Sequence, residues 1–260
     1  MFPSPVSPPP EPRRRDYAPL PPGRHKLGRS FVATNQRERI LDAVADVVSL
    51  SGYVDMRVED IVVTAGVSRR TFYDHFASKV EAFLASYEMV VTGLLGQVQA
   101  AYEANTTFEG RVRDCLTAFL DFVASEPAFA DMCIVEVLAA GPQAIERRNF
   151  AMTALGALIK GAAAETLKTP PPPELTAETI VGGIYEVVYS RILQGEGAQL
   201  LTLLPDLAYS IMLPYIGHEA AAQQMEAIRR DPPETGAWRP APDEAADGPD
   251  ADAVAEPPAA

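Results

Sequence analysis

The chain has 260 residues, of which 47% are hydrophobic and 22% are charged, and both shares are typical of globular proteins. The net charge of −13 excludes a protein that is basic over its whole surface. The charge is uneven, however: residues 1–30 contain six basic and two acidic residues, whereas residues 85–260 contain ten and twenty-five. A local basic surface near the N-terminus is therefore compatible with the composition.

Cysteines and apolar runs bear on the cellular compartment. Cys115 and Cys133 lie in apolar stretches without a CxxC motif, which is typical of buried free thiols in a reducing compartment. The first thirty residues contain nine prolines and lack the apolar core of a signal peptide. No run approaches the roughly 18 apolar residues that a membrane span needs. We therefore expect a soluble cytoplasmic protein with no membrane contact.

The two ends of the chain differ from its middle. Residues 1–30 predict a disordered, proline-rich basic arm, and residues 221–260 predict a disordered acidic tail rich in proline and alanine. Neither end has apolar residues spaced to repay the entropy of ordering the backbone. Between them, apolar residues recur at helical steps, and no alternating strand pattern occurs. The predicted fold class is all-α.

The first two predicted helices are separated by a glycine stop signal. The first covers residues 34–51, where apolar residues form one stripe, and it ends at Gly52. The second covers residues 58–65 and has two acidic residues in its first turn, where the helix dipole favours them. Gly66 follows it and allows the positive φ of a tight turn.

The next two helices begin at serine caps. Ser68 is placed to cap a short helix over residues 69–76. Ser78 is placed to cap a longer helix over residues 79–104, where Glu81 completes a capping box. Further helices are predicted over 108–124, 126–138, 142–168, 176–193 and 199–216, which makes about nine in total.

Residues 57–76 have the pattern of a helix-turn-helix, in which the second helix enters the DNA major groove. Phe72 and Phe76 lie four residues apart on one face of that helix and anchor it in the core. A plain helical hairpin gives a similar pattern, so the pattern alone leaves this alternative open. The polar side of the second helix exposes Arg69, Arg70, Thr71, Tyr73 and Asp74.

About fifty residues resemble the N-terminal domain of TetR-family transcriptional regulators in order and spacing. The matching segments are Gln36-Arg-Glu-Arg-Ile-Leu, Gly52-Tyr53, Val58-Glu-Asp-Ile, Ala65-Gly-Val-Ser68, Thr71-Phe-Tyr-Asp-His-Phe76 and Ser78-Lys79. The resemblance implies a DNA-binding domain over residues 31–84, a helical ligand-binding and dimerisation domain over residues 85–220, and a homodimer on double-stranded operator DNA. The family usually has a small hydroxyl residue at the start of the second helix, where this chain has Met56 and Arg57.

The recognition helix supplies the candidate DNA contacts. Arg70 and Thr71 suit base edges, since arginine can bind guanine through two hydrogen bonds and threonine can meet a thymine methyl. The alternative is that Arg69 and Arg70 bind only phosphates. The resemblance implies DNA-backbone contacts for Tyr73, His75 and Lys79. The full candidate set is Thr64, Ser68, Arg69, Arg70, Thr71, Tyr73, His75 and Lys79.

The basic residues before the first helix have two interpretations. They either lie along the minor groove, as the N-terminal arms of other helix-turn-helix proteins do, or form a solvated tail. These residues are Arg24, His25, Lys26 and Arg29.

Enzyme signatures do not occur in the sequence. His25, His75 and His218 are scattered and lack the spacing of metal ligands. GxSxG, P-loop and dinucleotide-binding glycine patterns are likewise missing. We therefore expect no enzymatic activity, no cofactor and no metal.

Two further sets of residues are predicted in the C-terminal helices. The first set lies on helices that the resemblance places around an effector cavity, although an aromatic or methionine stripe also fits ordinary core. Its members are Phe119, Phe122, Phe129, Met132, Phe150 and Met152. The second set forms apolar stripes on the last two helices, which suit either a four-helix dimer interface or burial within the subunit. Its members are Ile184, Val188, Ile192, Leu203, Leu207 and Ile211.

These features predict a repressor that releases its operator when a small apolar effector binds. The helix over residues 79–104 would couple the two sites, with Phe83 and Tyr87 as its hinge packing. The alternative is a DNA-binding protein of the same fold without a small-molecule effector, controlled by a protein partner.

Overall fold

The structure is a computed structural model that describes residues 29–233, and within this range the chain forms nine α-helices and no strand. The all-α prediction is therefore confirmed. Most of the basic arm and the last twenty-seven residues lie outside the described residues, including the predicted minor-groove contacts of Arg24, His25 and Lys26. The helices are α1 Arg29–Asp55, α2 Val58–Ala65, α3 Arg69–His75, α4 Lys79–Glu103, α5 Phe108–Ser125, α6 Pro127–Ala130, α7 Pro142–Thr166, α8 Thr176–Leu193 and α9 Leu204–Arg230.

The first four helices lie close to their predicted boundaries, except that α1 begins earlier, at Arg29, and ends later, at Asp55. Gly52 interrupts the end of α1 with a φ of 76°, and Gly66 ends α2 with a φ of 62°. Ser68 accepts a hydrogen bond from the backbone N–H of Thr71 at the start of α3. The predicted turn chemistry is therefore present.

The capping box of α4 is also present. The Ser78 hydroxyl accepts a hydrogen bond from the Glu81 N–H at 3.2 Å, and the Glu81 carboxylate accepts one from the Ala77 N–H at 2.6 Å. The start of α2 differs, because Arg57 occupies its cap position without a side-chain hydrogen bond. The first turn of α2 therefore lacks the side-chain cap that α3 and α4 have.

One predicted helix, over residues 126–138, is broken into three pieces. After α6 the chain forms a π-helical turn over Asp131–Val135 and a short 3₁₀ turn over Glu136–Leu138. The hydroxyl of Tyr185, on α8, donates a hydrogen bond to the Ile134 carbonyl within this stretch. The apolar spacing of the segment indicated burial but could not reveal the change of helix type.

The last helix is longer than predicted. After a break at Gly217, which has a φ of 79°, α9 continues to Arg230, so residues 221–230 are helical, contrary to the prediction of a disordered tail from residue 221. Ala221 and Ile228 are buried in the core, and this burial stabilises the extension. The proline-rich average of the last forty residues concealed these apolar positions.

Among the described residues, one helical segment is long and apolar enough to cross a membrane, judged by length and composition only. This segment is Gly197–Arg230, and the bent pair Pro127–Leu138 with Pro142–Thr166 would add a second if it counted as one span. The segment passes on its mean hydropathy, whereas the prediction concerned a run of roughly 18 apolar residues, which polar residues such as Asp206 and Ser210 interrupt here. In this fold, Leu204, Leu207 and Ile211 of that segment lie in the hydrophobic core.

Helix α4 joins the two parts of the molecule. It packs against α1 near its start and against α5 and α7 along its length. Nine of its residues are buried, among them Phe83, Tyr87 and Tyr102. The core is continuous from the helix-turn-helix to the C-terminal helices.

Candidate DNA-binding surface and ligand cavity

The recognition helix α3 is anchored in the core by one face, and part of its polar face is exposed to solvent. Phe72 and Phe76 are buried, with ring centroids 5.9 Å apart, which confirms their predicted anchoring role. The Ser68 hydroxyl lies 2.8 Å from that of Thr71, so Ser68 helps to build the first turn of the helix. Arg70 is exposed and its side chain makes no hydrogen bond or ion pair with the described residues.

The other cationic side chain of this helix is already engaged. Arg69 pairs with Glu59 of α2, and its guanidinium lies 5.7 Å from the centre of the Tyr73 ring. Of the remaining candidates, Thr64 and Tyr73 are exposed, and His75 is half-buried. The two arginines therefore differ: Arg69 is oriented by the protein, whereas Arg70 is available to a ligand.

Lys79 has a role that sequence reasoning did not find. Its ammonium donates hydrogen bonds to the carbonyls of Tyr53, Val54 and Met56, at 3.3, 3.2 and 2.9 Å. These bonds use its three donors and fix the end of α1 to the start of α4. A phosphate contact by Lys79 would therefore have to use its backbone N–H, which lacks a helical partner in a first turn.

Arg39 of α1 holds the turn of the helix-turn-helix and was also missed. Its guanidinium donates to the carbonyls of Ala65 and Gly66 at the end of α2. A Cβ at Gly66 would lie 2.6 Å from this guanidinium, so the glycine provides space as well as its positive φ. The sequence signal was its position in the segment Gln36-Arg-Glu-Arg-Ile-Leu, directly before the apolar stripe of α1.

A cavity of about 140 Å³ lies in the C-terminal part of the chain. Residues from α4, α5, the π-helical turn, α7, α8 and α9 line it, and almost all of them are apolar. Of the six predicted pocket residues, three line this cavity: Phe119, Phe122 and Met152.

The other three predicted pocket residues do not line it. Phe150 is 71% exposed, because α7 turns Arg148, Met152 and Leu155 toward the cavity and Phe150 away from it. Phe129 and Met132 are buried in the core near α1 without reaching the cavity. Helical spacing identified apolar faces but not which face borders empty space.

The predicted dimer residues differ in their burial within the subunit. Val188, Leu207 and Ile211 belong to the buried core, which fits the alternative of burial within the subunit for these three. Ile184, Ile192 and Leu203 are partly buried against that core, and their place in a dimer interface stays a prediction. The physical reason for the burial is that the apolar stripes of α8 and α9 face α5 and the cavity.

Polar groups at the cavity wall are neutral apart from two arginines. Burial raises the pKa of the Cys115 thiol to about 12 and also raises that of the Cys133 thiol. Burial likewise raises the pKa values of the Tyr87 and Tyr185 phenols. The cationic residues of the wall are Arg111 and Arg148.

Two sets of contacts connect the cavity wall with the DNA-binding part. Tyr87 of α4 lines the cavity, and Phe83, one turn earlier, packs edge-on against Tyr53 of α1 at 4.9 Å. In the second set, the Glu136 carboxylate accepts a hydrogen bond from the Tyr53 N–H at 2.7 Å. Glu136 follows directly on the π-helical turn, whose Cys133 and Ile134 line the cavity.

Comparison with known proteins agrees with this architecture. Residues 40–85 match the N-terminal domain of the family described as bacterial regulatory proteins, tetR family. The HTH-type transcriptional activator FasR of Mycolicibacterium smegmatis is 32% identical over 103 residues, which are 40% of this chain and 47% of FasR. The match thus spans less than half of the length of that relative.

Solved structures with the same fold cover more of the chain. The fatty acid degradation regulator FadR of Bacillus halodurans has a TM-score of 0.62 at 16% identity and covers 75% of this chain and 100% of its own. FadR of Bacillus subtilis, in complex with stearoyl-CoA, has a TM-score of 0.60 at 18% identity and covers 70% and 99%. SmeT, the repressor of the Stenotrophomonas maltophilia efflux pump SmeDEF, has a TM-score of 0.59 at 16% identity and covers 71% and 92%.

All four relatives are named as regulators and none as an enzyme. The helix-turn-helix and the family match agree on the N-terminal part, and the solved structures agree on the fold. Residues 40–85 match the DNA-binding domain of the TetR family, and the described chain has the all-helical fold of these solved regulators.

Proposed function

We propose that the protein is a cytoplasmic, dimeric repressor that binds a palindromic operator and releases it when an apolar effector enters the cavity. The observation that carries the proposal is the cavity itself, whose wall includes Tyr87 of the helix that begins at the DNA-binding part. An apolar cavity with few polar groups is the usual form of a small-molecule site.

The exposed side of α3 supports the DNA-binding step. Arg70 has no partner within the described residues, and an exposed guanidinium in the first turn of a recognition helix suits a guanine edge. Thr71 lies beside it, while Tyr73 and His75 remain candidates for phosphates. Arg69 is already paired with Glu59 and is the weaker candidate for a base.

The dimer face is proposed from the outward sides of α8 and α9. Val187 and Leu213 are the apolar residues there, 37% and 38% exposed, next to exposed Gly183 and Ser210. Apolar faces on two neighbouring helices can pair with their copies into a four-helix interface. Replacing Val187 and Leu213 together by glutamate should halve the mass seen by light scattering, whereas the exposed Leu50→Glu should not.

The size of the cavity supports a coupled release mechanism. A cavity of about 140 Å³ is comparable to an engineered cavity that takes up benzene, so a longer apolar chain needs the walls to move apart. Such a ligand would select a wider state of the C-terminal helices. FadR of Bacillus subtilis was crystallised with stearoyl-CoA, which supports a chain-like ligand for this fold.

The test uses the purified chain and the intergenic DNA upstream of its own gene. A gel shift should appear with this DNA, and Arg70→Ala should weaken it by about 1–3 kcal/mol while leaving nonspecific DNA nearly unchanged. Apolar chain compounds should reverse the shift, and a reporter driven by the fragment should be silent until they are added. A reporter that needs the protein for expression would instead identify an activator, as FasR is named.

A further inference from the structure

The two arginines of the cavity wall are compensated to different degrees. Arg111 donates hydrogen bonds to the Glu165 carboxylate at 2.6 Å, to the Tyr102 hydroxyl at 2.9 Å and to the Asn105 carbonyl at 2.9 Å. Its guanidinium also lies 4.1 Å from the centre of the Tyr102 ring. The charge of Arg111 is therefore neutralised by the protein itself.

Arg148 has no such compensation. Its guanidinium lies 3.9 Å from the centre of the Tyr185 ring, and its Nη1 donates to the neutral Asn149 side chain at 3.1 Å. The Nε atom is buried and has no hydrogen-bond partner. Among the described residues, no carboxylate lies within ion-pair distance of Arg148. A buried donor left unpaired destabilises the protein, so a partner for it would be favourable.

The groups around Arg148 do not provide an anion. Tyr87, Cys133 and Tyr185 share this end of the cavity wall, and their raised pKa values keep them neutral at pH 7. The Ile134 carbonyl already accepts the hydrogen bond of the Tyr185 hydroxyl. The end at Arg148 therefore presents a cation and a free donor, while the wall beyond it is apolar.

The apolar wall continues from this point along α7. Its cavity-lining residues run from Arg148 through Met152, Leu155 and Ile159 to Ala162. The fourteen helical steps from Arg148 to Ala162 rise by about 21 Å, so the lined surface is elongated along α7. A molecule with one polar end and a long apolar body would match this distribution.

We propose that Arg148 binds the carboxylate of the effector, which is therefore an amphiphile with an apolar chain and a single acidic head group. The head group accepts hydrogen bonds from Nε and a terminal nitrogen of Arg148, in the two-pronged geometry typical of arginine and carboxylate. The chain lies between α4 and α7 and points toward Arg111. The assignment rests on the proposed function, because it takes this cavity as the effector site.

Calorimetry with the full chain tests the assignment with octanoate and its neutral counterpart 1-octanol. The wild type should bind octanoate about ten- to a hundredfold more tightly than 1-octanol, since a hydrogen-bonded ion pair forms with the acid alone. Arg148→Gln should abolish this preference and keep the affinity for 1-octanol, which also reports that the cavity is intact. Arg148→Lys, which keeps the charge without the Nε donor, should restore part of the preference.

The neighbouring arginine provides the matched control. Arg147 lies 3.8 Å from Glu88 and does not line the cavity, so Arg147→Gln should leave both affinities unchanged. Equal binding of octanoate and 1-octanol to the wild type would overturn the carboxylate assignment while leaving the cavity as an effector site. Loss of the preference for octanoate in Arg147→Gln as well as in Arg148→Gln would also overturn the carboxylate assignment.

Two further outcomes identify where an error would lie. If octanoyl-CoA loses affinity in Arg148→Gln and octanoate does not, Arg148 binds a phosphate, and the carboxylate assignment is wrong. If neither octanoate nor 1-octanol binds the wild type, the cavity is not an effector site, and the effector part of the proposed function fails together with this inference.

Discussion

The part of the chain that carries the helix-turn-helix (residues 29–84) and the part that carries the cavity (residues 85–233) are stabilised in different ways. In the first, polar side chains fix particular backbone groups, as Arg39 does at the turn and Lys79 at the end of α1. In the second, apolar side chains surround space that they do not fill. From this difference we expect a rigid DNA-binding surface joined to a cavity that can change its volume.

The largest expected effect contrasts two phenylalanines, one in each part. Phe83 is fully buried against Tyr53, whereas Phe119 borders the cavity and is half-buried. Phe83→Ala should lower the free energy of unfolding by about 3–5 kcal/mol, because it opens a new cavity in packed core. Phe119→Ala should lower the free energy of unfolding by roughly half of that amount or less. Urea unfolding at one fixed protein concentration measures both, and equal losses would contradict the contrast.

A second experiment separates structural from DNA-reading cations within the first part. Lys79→Met removes three hydrogen bonds to the end of α1 and should lower the stability of the free protein by about 1.5–3 kcal/mol. Arg70→Met removes a side chain without a partner and should change it by less than about 0.5 kcal/mol. If Lys79 served only to bind phosphate, its variant would melt like the wild type in the absence of DNA.

The π-helical turn beside the cavity gives the second part a pH dependence. Burial, reinforced by Glu136, raises the pKa of Asp131 to about 6, above its ordinary value near 3.9. Ionising this carboxyl therefore costs stability as the pH rises from about 4 to about 6, and the full cost remains at higher pH. Asp131→Asn should raise stability at pH 7.5 by about 1 kcal/mol, after allowance for partial exposure.

Thermal melting at several pH values checks this effect. The advantage of Asp131→Asn should shrink as the pH falls from 7.5 to 5, since the wild-type carboxyl then becomes protonated. Asp74→Asn, an exposed change on α3, serves as the control. An advantage that stays constant with pH would rule out titration of Asp131 as its cause.

The smallest expected effect is a gain, at the start of α2. Arg57 has the extended backbone of a cap residue, with φ −120° and ψ 151°, but its side chain makes no cap hydrogen bond. Arg57→Ser should supply that bond and stabilise the protein by about 0.5–1 kcal/mol. Arg57→Ala separates this gain from the loss of the arginine, and chemical denaturation compares the two. Identical stabilities would show that the cap does not form.

Sequence reasoning succeeded where local interactions decide the structure. The limits of α2 and α8 agree with the prediction, and Ser68 and Ser78 cap the helices that they precede. These features depend on residues within a few positions of one another, and their chemistry is therefore visible in the sequence.

It failed where the outcome depends on which neighbour a helix face meets. Phe150 and Phe119 look equivalent as apolar residues on helices, yet one is exposed and the other borders the cavity. Val188 and Val187 are adjacent in sequence, and only the first is buried in the subunit. The role of Lys79 was missed for the same reason, because its acceptors lie more than twenty residues away.

The cavity has one more consequence, for the response of the protein to hydrostatic pressure. Unfilled internal volume is eliminated when a protein unfolds, so high pressure favours the unfolded state in proportion to that volume. With about 140 Å³ of free space in residues 85–233, the protein has such a volume in the part that we propose as the effector site. A bound chain that fills this space removes the contribution, and the pressure at which half of the molecules unfold then rises with occupancy.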